Sequence, residues 1–297
     1  MWQQLLTSLL EGNRKTLARC ISLVENEVPG YEQLLQMLPG KHTPVIGLTG
    51  PPGAGKSTLT DALISRFATD GKKTGVLCVD PSSPFNLGSL LGDRIRMSQW
   101  YNNPDVFIRS LATRGSLGGL HPKIIEICEL MKAAGFDFII VETVGVGQSE
   151  IEIAGLADVT AVVLVPEAGD DVQSMKAGLM EIADLFVVNK SDRPDADTFV
   201  NNLKLMLTPA FSRRTEEVPV VKTVASKKEG IAELYGLLLE NVAKQKMNSR
   251  HFWLLAEKAY YLIQQKRMAG IDKADLKKKI EGLGNDFNLY TFIREYY

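Results

Sequence analysis

Residues 47–63 read "GLTGPPGAGKSTLTDAL", with four glycines and two prolines around one lysine, just ahead of a run with helical apolar spacing. From Gly50 to Ser57 the spacing is G-x-x-x-x-G-K-S, the phosphate-binding P-loop. The surroundings agree with it: Val45–Thr49 reads as a buried strand and residues 57–70 as a helix. Glycines let successive backbone N–H groups turn toward phosphate oxygens, and the helix N-terminus adds partial positive charge. Gly50, Gly53, Ala54, Gly55, Lys56, Ser57 and Thr58 would then form the cradle. Lys56 would reach the β- and γ-phosphates, and the Ser57 hydroxyl would bind Mg²⁺. The stretch predicts a nucleoside triphosphate site at the start of an α/β domain.

Outward from this loop, short β-branched and nearly all-apolar runs recur at 45–49, 76–80, 106–109, 138–142, 160–165, 185–189 and 219–223. Such runs suit strands buried on both faces of a largely parallel sheet. Helical spacing intervenes at 57–70, 121–134, 148–157, 172–183, 195–207 and 229–246. The pattern predicts a doubly wound, mostly parallel seven-stranded α/β fold with its ligand at the carboxyl ends of the strands. Residues 1–43 carry helical apolar pairs punctuated by Gly12 and Pro29-Gly30, and form a helical extension. The expected G domain runs over 44–246. After Lys246 the strands stop, helices are expected at 250–268 and 272–281, and residues 247–297 form a C-terminal helical arm.

Composition narrows the class. A chain of 297 residues with 45% hydrophobic and 23% charged residues is globular and long enough to bury a sizeable core. The net charge of −1 gives no general case for nucleic acid or an anionic membrane as partner. Charge is uneven: 11 Lys/Arg against 6 Asp/Glu leave residues 241–297 at +5 and the remainder at −6. Solvated terminal helices or a basic contact surface would both account for that. Cys20, Cys78 and Cys128 are far apart, as are His42, His121 and His251, so no disulfide or zinc framework is expected. No apolar run approaches membrane-spanning length and the start lacks a secretion signal, which points to a cytoplasmic protein.

The base is addressed by "VVNKSD", Val187–Asp192, at a strand end. In N-K-x-D, the Asp192 carboxylate accepts from the guanine ring N–H and exocyclic amine. Adenine would face it with the opposite polarity, a mismatch worth about 10⁴-fold in discrimination. Asn189 would brace the loops, the Lys190 stem would cover the base, and the Ala225 N–H within "TVAS" would face guanine O6. The middle motif, "FIIVETVGVGQSE", ends a strand in Glu142, placed to hold Mg²⁺, and has Gly145 to sense the γ-phosphate. Most GTPases have Asp at the first of these positions. Val146 stands where a Ras-type enzyme has its water-orienting Gln, so GTP should be hydrolysed slowly by the chain alone. Gln148 is either a substitute or a helix N-terminal surface residue. Asp80 and Asp93 are metal candidates, with a strand-end cap as the other reading of Asp80. Arg94, Arg96, Arg109 and Arg114 are charge stabilisers or surface ion-pair formers. "ATRGSLGGLHPK" reads as a switch or interface loop.

Taken together, "GPPGAGKST", "VDPSSP", "LLGDRIRM", "VETVGVGQSE", "PEAGDDVQSMKAG" and "NKSDRPDAD" resemble the MeaB/ArgK/MMAA family, GTPase chaperones of methylmalonyl-CoA mutase and related cobalamin enzymes. The likeness runs from the helical prefix to about residue 240. It implies a G domain between an N-terminal helical extension and a C-terminal dimerisation arm. It further implies GTP/GDP and Mg²⁺ as ligands, with Lys56, Ser57, Asp80, Asp93 and Glu142 around phosphate and metal. Lys56, Asp93 and Glu142 would be catalytic. Residues 166–178, including Lys176, would relay nucleotide state to an adenosylcobalamin-dependent acyl-CoA mutase, and the chain would be a homodimer. Asn86-Leu87-Gly88 departs from the family's usual Thr-Gly-Gly. Two other classes share parts of the pattern: a metallochaperone GTPase for nickel or cobalt, and a transport-associated kinase. The first should show Cys or His clusters near the G domain, and the second should lack the guanine tetrapeptide.

Overall fold

Among the described residues seven strands form one sheet: β1 Val45–Thr49, β2 Thr74–Asp80, β3 Val106–Ala112, β4 Phe138–Glu142, β5 Val159–Leu164, β6 Leu185–Val188 and β7 Val220–Lys222. Their order is β3-β2-β4-β1-β5-β6-β7 and every pairing is parallel. This arrangement comes from a computed structural model, which describes residues 1–80, 97–113, 120–145, 149–168, 177–207, 217–245 and 249–296. The helices are α1 Trp2–Leu10, α2 Arg14–Glu25, α3 Tyr31–Gln36, α4 Lys56–Thr69, α5 Ile124–Ala133, α6 Ser149–Leu156, α7 Ala177–Ile182, α8 Ala196–Met206, α9 Ile231–Gln245, α10 Ser249–Met268, α11 Lys273–Leu283 and α12 Leu289–Ile293. The expected fold class therefore stands, with strands placed within a few residues of the apolar runs. β2 and β3 are longer than those runs because their pairing extends from Thr74↔Val106 to Asp80↔Ala112.

Alternation along the strands separates two faces. Ile46 and Leu48 of β1, Phe138 and Ile140 of β4, and Val159, Ala161 and Val163 of β5 pack toward α4 and α9. On the opposite face Val45, Leu77, Ile139 and Val141 pack against α5, α6 and the N-terminal helices. Val162, Leu164, Phe186 and Val188 pack with α7 and α8. Leu5, Leu9, Leu17, Ile21, Val24 and Leu34 bury the inner sides of α1, α2 and α3 in the same core as α5. Arg109, a candidate charge stabiliser, is held here. Its guanidinium on β3 bonds Glu25 and the Ser22 hydroxyl of α2, which ties the N-terminal helices to the sheet.

Two compact units divide the chain, Met1–Leu254 and Leu255–Tyr297. In the second, Asp272 caps α11 by accepting from Ala274 N–H at 2.6 Å, and Asn288 caps α12 through Thr291 N–H at 3.0 Å. Phe292 is buried there between the rings of Phe287 and Tyr296. In the first unit, α4 is anchored at its far end by Phe67. That fully buried ring lies 4.7 Å from Phe138 and 5.1 Å from Tyr235. Truncating such a ring costs about 3–5 kcal/mol, so the helix that begins at the phosphate loop is firmly seated.

Candidate functional site

β1 lies between β4 and β5, where the chain reverses its direction of travel across the sheet. A crevice at the carboxyl ends of the strands is expected at such a point. Residues 50–55 leave β1 there, and α4 starts at Lys56 with Gly55 as its cap. Gly50 has φ 138°, and a Cβ there would stand 2.0 Å from the Val163 carbonyl oxygen. No side chain fits, which explains the first glycine of the motif. Gly145, with φ 87°, is also too close for a side chain: a Cβ would lie 2.5 Å from Gly50 O and 2.7 Å from Lys56 Nζ. Lys56 is buried, and its ammonium donates to Gly50 O at 2.9 Å and Pro51 O at 3.1 Å.

Two candidate metal ligands touch at the start of α4, and a third ends the next strand. Ser57 Oγ donates to Glu142 Oε1 at 2.6 Å, and the Ser57–Glu142 contact is buried. Asp80, also buried, closes β2 two residues beyond Cys78, which pairs in register with Glu142. Two carboxylates and a hydroxyl are hard oxygen donors of the kind Mg²⁺ selects, so the donor set fits that ion. Sequence reasoning missed Thr60, whose hydroxyl reaches Glu142 Oε2 at 2.8 Å. Its position three residues after Ser57 on one helix was the available signal. Asp93, Arg94, Arg96, Arg114, Asn86-Leu87-Gly88, Val146, Gln148 and the stretch Gly169–Lys176 lie outside the described residues.

The guanine-type motif leaves β6 directly over the phosphate loop. Buried Asn189 donates from Nδ2 to Ala54 O at 2.9 Å, while its Oδ1 accepts from Thr223 Oγ1 and Ala225 N–H, each at 3.1 Å. One amide thus joins three loops. The Ala225 N–H, expected to face guanine O6, is engaged by Asn189 in this arrangement. Lys190 adopts φ 57° and lays its chain over the loop, with Nζ on Gly53 O at 2.8 Å. Asp192 is exposed and paired with Lys227 at 3.0 Å, a hydrogen bond that holds its carboxyl below the usual carboxylate value.

Comparison with known proteins agrees with this geometry. The family model of the methylmalonyl-CoA mutase-associated GTPase MeaB matches residues 17–266. A Pyrococcus horikoshii protein provisionally named a GTPase is 42% identical over 96% of this chain and 90% of its own. The GTPase ArgK of Escherichia coli is 40% identical over 78% of this chain and 73% of its own. Among solved structures, an LAO/AO transport system kinase superposes with a TM-score of 0.68 at 26% identity, covering 99% of this chain and 96% of that one.

Proposed function

The chain belongs to the MeaB family of methylmalonyl-CoA mutase-associated GTPases, and on that premise we propose that it is a slow, partner-stimulated GTPase that loads and protects an adenosylcobalamin-dependent acyl-CoA mutase. The observation that carries the nucleotide half of this reading is the Asn189 amide, which makes the phosphate loop, the base motif and the loop after β7 one unit. In the proposed cycle the N–H groups of residues 53–58 cradle the phosphates and Lys56 neutralises charge on them. Ser57, Glu142 and Asp80, with Asp93, would hold Mg²⁺, which would supply charge neutralisation at the phosphates. Asp192 selects guanine. The mutase half rests on the family's name and on the resemblance of residues 166–178 to its relay. A cytoplasmic homodimer built through residues 247–297 completes the proposal. No helix among the described residues is long and apolar enough to cross a membrane.

The kinase reading has one observation in its favour: a solved structural relative is described as an LAO/AO transport system kinase. A guanine-selective carboxylate at residue 192 argues against it. The decisive experiment measures nucleotide binding by competition, then follows phosphate release while a cobalamin mutase from the same source is titrated in. GTP and GDP should bind and ATP should not, and the mutase should accelerate hydrolysis. Equal affinity for ATP and GTP ends the GTPase reading. If no such mutase stimulates hydrolysis or forms a nucleotide-dependent complex, the chaperone role fails while the GTPase survives.

A further inference from the structure

We propose that Thr60 is a positioning residue that fixes the carboxylate of Glu142, and that it is what allows a glutamate to serve where a shorter aspartate is usual. The inference rests on the Mg²⁺–nucleotide reading of the site. Ser57 and Thr60 lie three residues apart on α4, so their hydroxyls line one face of the helix. That face meets the end of β4. Ser57 Oγ donates to Oε1 of Glu142 at 2.6 Å and Thr60 Oγ1 donates to Oε2 at 2.8 Å, so each carboxylate oxygen holds one hydroxyl. Thr60 is 0% exposed and Glu142 4%.

The extra methylene of glutamate adds a torsion, and the terminal torsion of such a chain is broad. A bond to one oxygen alone leaves the carboxylate plane free to turn about it, whereas a second bond to the other oxygen fixes the plane. A hydroxyl has one proton to give. Thr60 Oγ1 is also 3.0 Å from the Lys56 carbonyl oxygen, the ordinary bond of a helical threonine to the preceding turn. Glu142 Oε2 is the closer of the two acceptors, so the proton goes to Glu142. Ser57 must offer a lone pair to the metal while keeping its proton on Glu142. Thr60 has no such second duty, and therefore holds Glu142 steady whether or not Ser57 is engaged.

The test compares Thr60→Val, which keeps the side-chain shape and removes the hydroxyl, with Thr60→Ser, which keeps the hydroxyl. Affinity for GDP is measured with and without Mg²⁺ in the wild-type background and in Glu142→Asp, whose carboxylate is withdrawn by one methylene. Loss of an outer partner of a metal ligand typically weakens metal binding about 10–100-fold. Thr60→Val should reduce the Mg²⁺-dependent gain in GDP affinity by about tenfold and leave the Mg²⁺-free affinity unchanged. Thr60→Ser should restore the gain, and in Glu142→Asp the valine substitution should have little further effect. An intact Mg²⁺ gain in Thr60→Val, or an equal loss in both backgrounds, overturns the role of Thr60 alone. Absence of any Mg²⁺ effect on the wild type instead sinks the metal assignment beneath both readings.

Discussion

Asp192 and Asn189 are three residues apart and face opposite environments. Asn189 is buried and spends its amide on protein partners, whereas Asp192 is exposed and pairs with a surface lysine. The Lys227 hydrogen bond holds that carboxyl below its ordinary value, so it is an ionised acceptor throughout the neutral range. Exposed pairs of this kind contribute little, and exchanging the lysine for two guanine donors is cheap. Asp192→Asn should therefore weaken GDP at least about 100-fold, since a mismatched polar contact can cost far more. It should also improve xanthine nucleotides, which present an acceptor in place of the amine. Titration of both nucleotides checks this, and an unchanged preference for guanine would remove Asp192 from the base site. The motif itself was legible because its residues are adjacent in sequence. The Lys227 and Glu142–Thr60 contacts were not, since each joins residues that only the fold brings together.

At the scale of elements, aspartates repeatedly finish the amino ends of the sheet. Asp137, Asp158 and Asp184 immediately precede β4, β5 and β6. Their carboxylates accept from the backbone N–H of Lys73 at 2.7 Å, Val45 at 2.8 Å and Thr160 at 2.8 Å, each on or beside the neighbouring strand. These N–H groups lie at or next to the start of a strand, where the ladder runs out, so a carboxylate satisfies what the sheet does not. Asp158 is buried and Asp137 exposed. Asp158→Ala should cost about 1–3 kcal/mol, the penalty for a buried donor left unmade. Asp137→Ala, whose donor can turn to water, should cost well under half of that. Thermal unfolding reads the difference at roughly 2–4 °C per kcal/mol for a unit of this size, and equal losses would refute the account. The strands themselves were legible because both faces are buried and the runs are apolar. The Asp-then-strand repeat was equally visible in the letters. An aspartate before a strand nevertheless reads as an ordinary turn residue until the register of the adjacent strand is known.

At the scale of the whole molecule, α10 carries large apolar side chains that stand open to solvent. Phe252 and Trp253 near its start are 73% and 70% exposed. Tyr260 is 69% exposed, and Ile263, three residues on and therefore on the same side of the helix, is exposed as well. Apolar surface of this kind on a single chain marks an interaction site, and a two-fold pairing of identical surfaces is the commonest way for one chain to bury it. The protein should therefore be a homodimer at micromolar concentration by light scattering. Replacing Phe252 and Trp253 together by glutamate should yield a monomer, because the change removes the aromatic burial and sets like charges near their own symmetry mates. GDP affinity should survive that change, since the proposed nucleotide site is built from residues 50–57 and 189–192 and not from α10. A wild-type monomer, or a double variant that remains dimeric, would show that these aromatics serve something other than self-association.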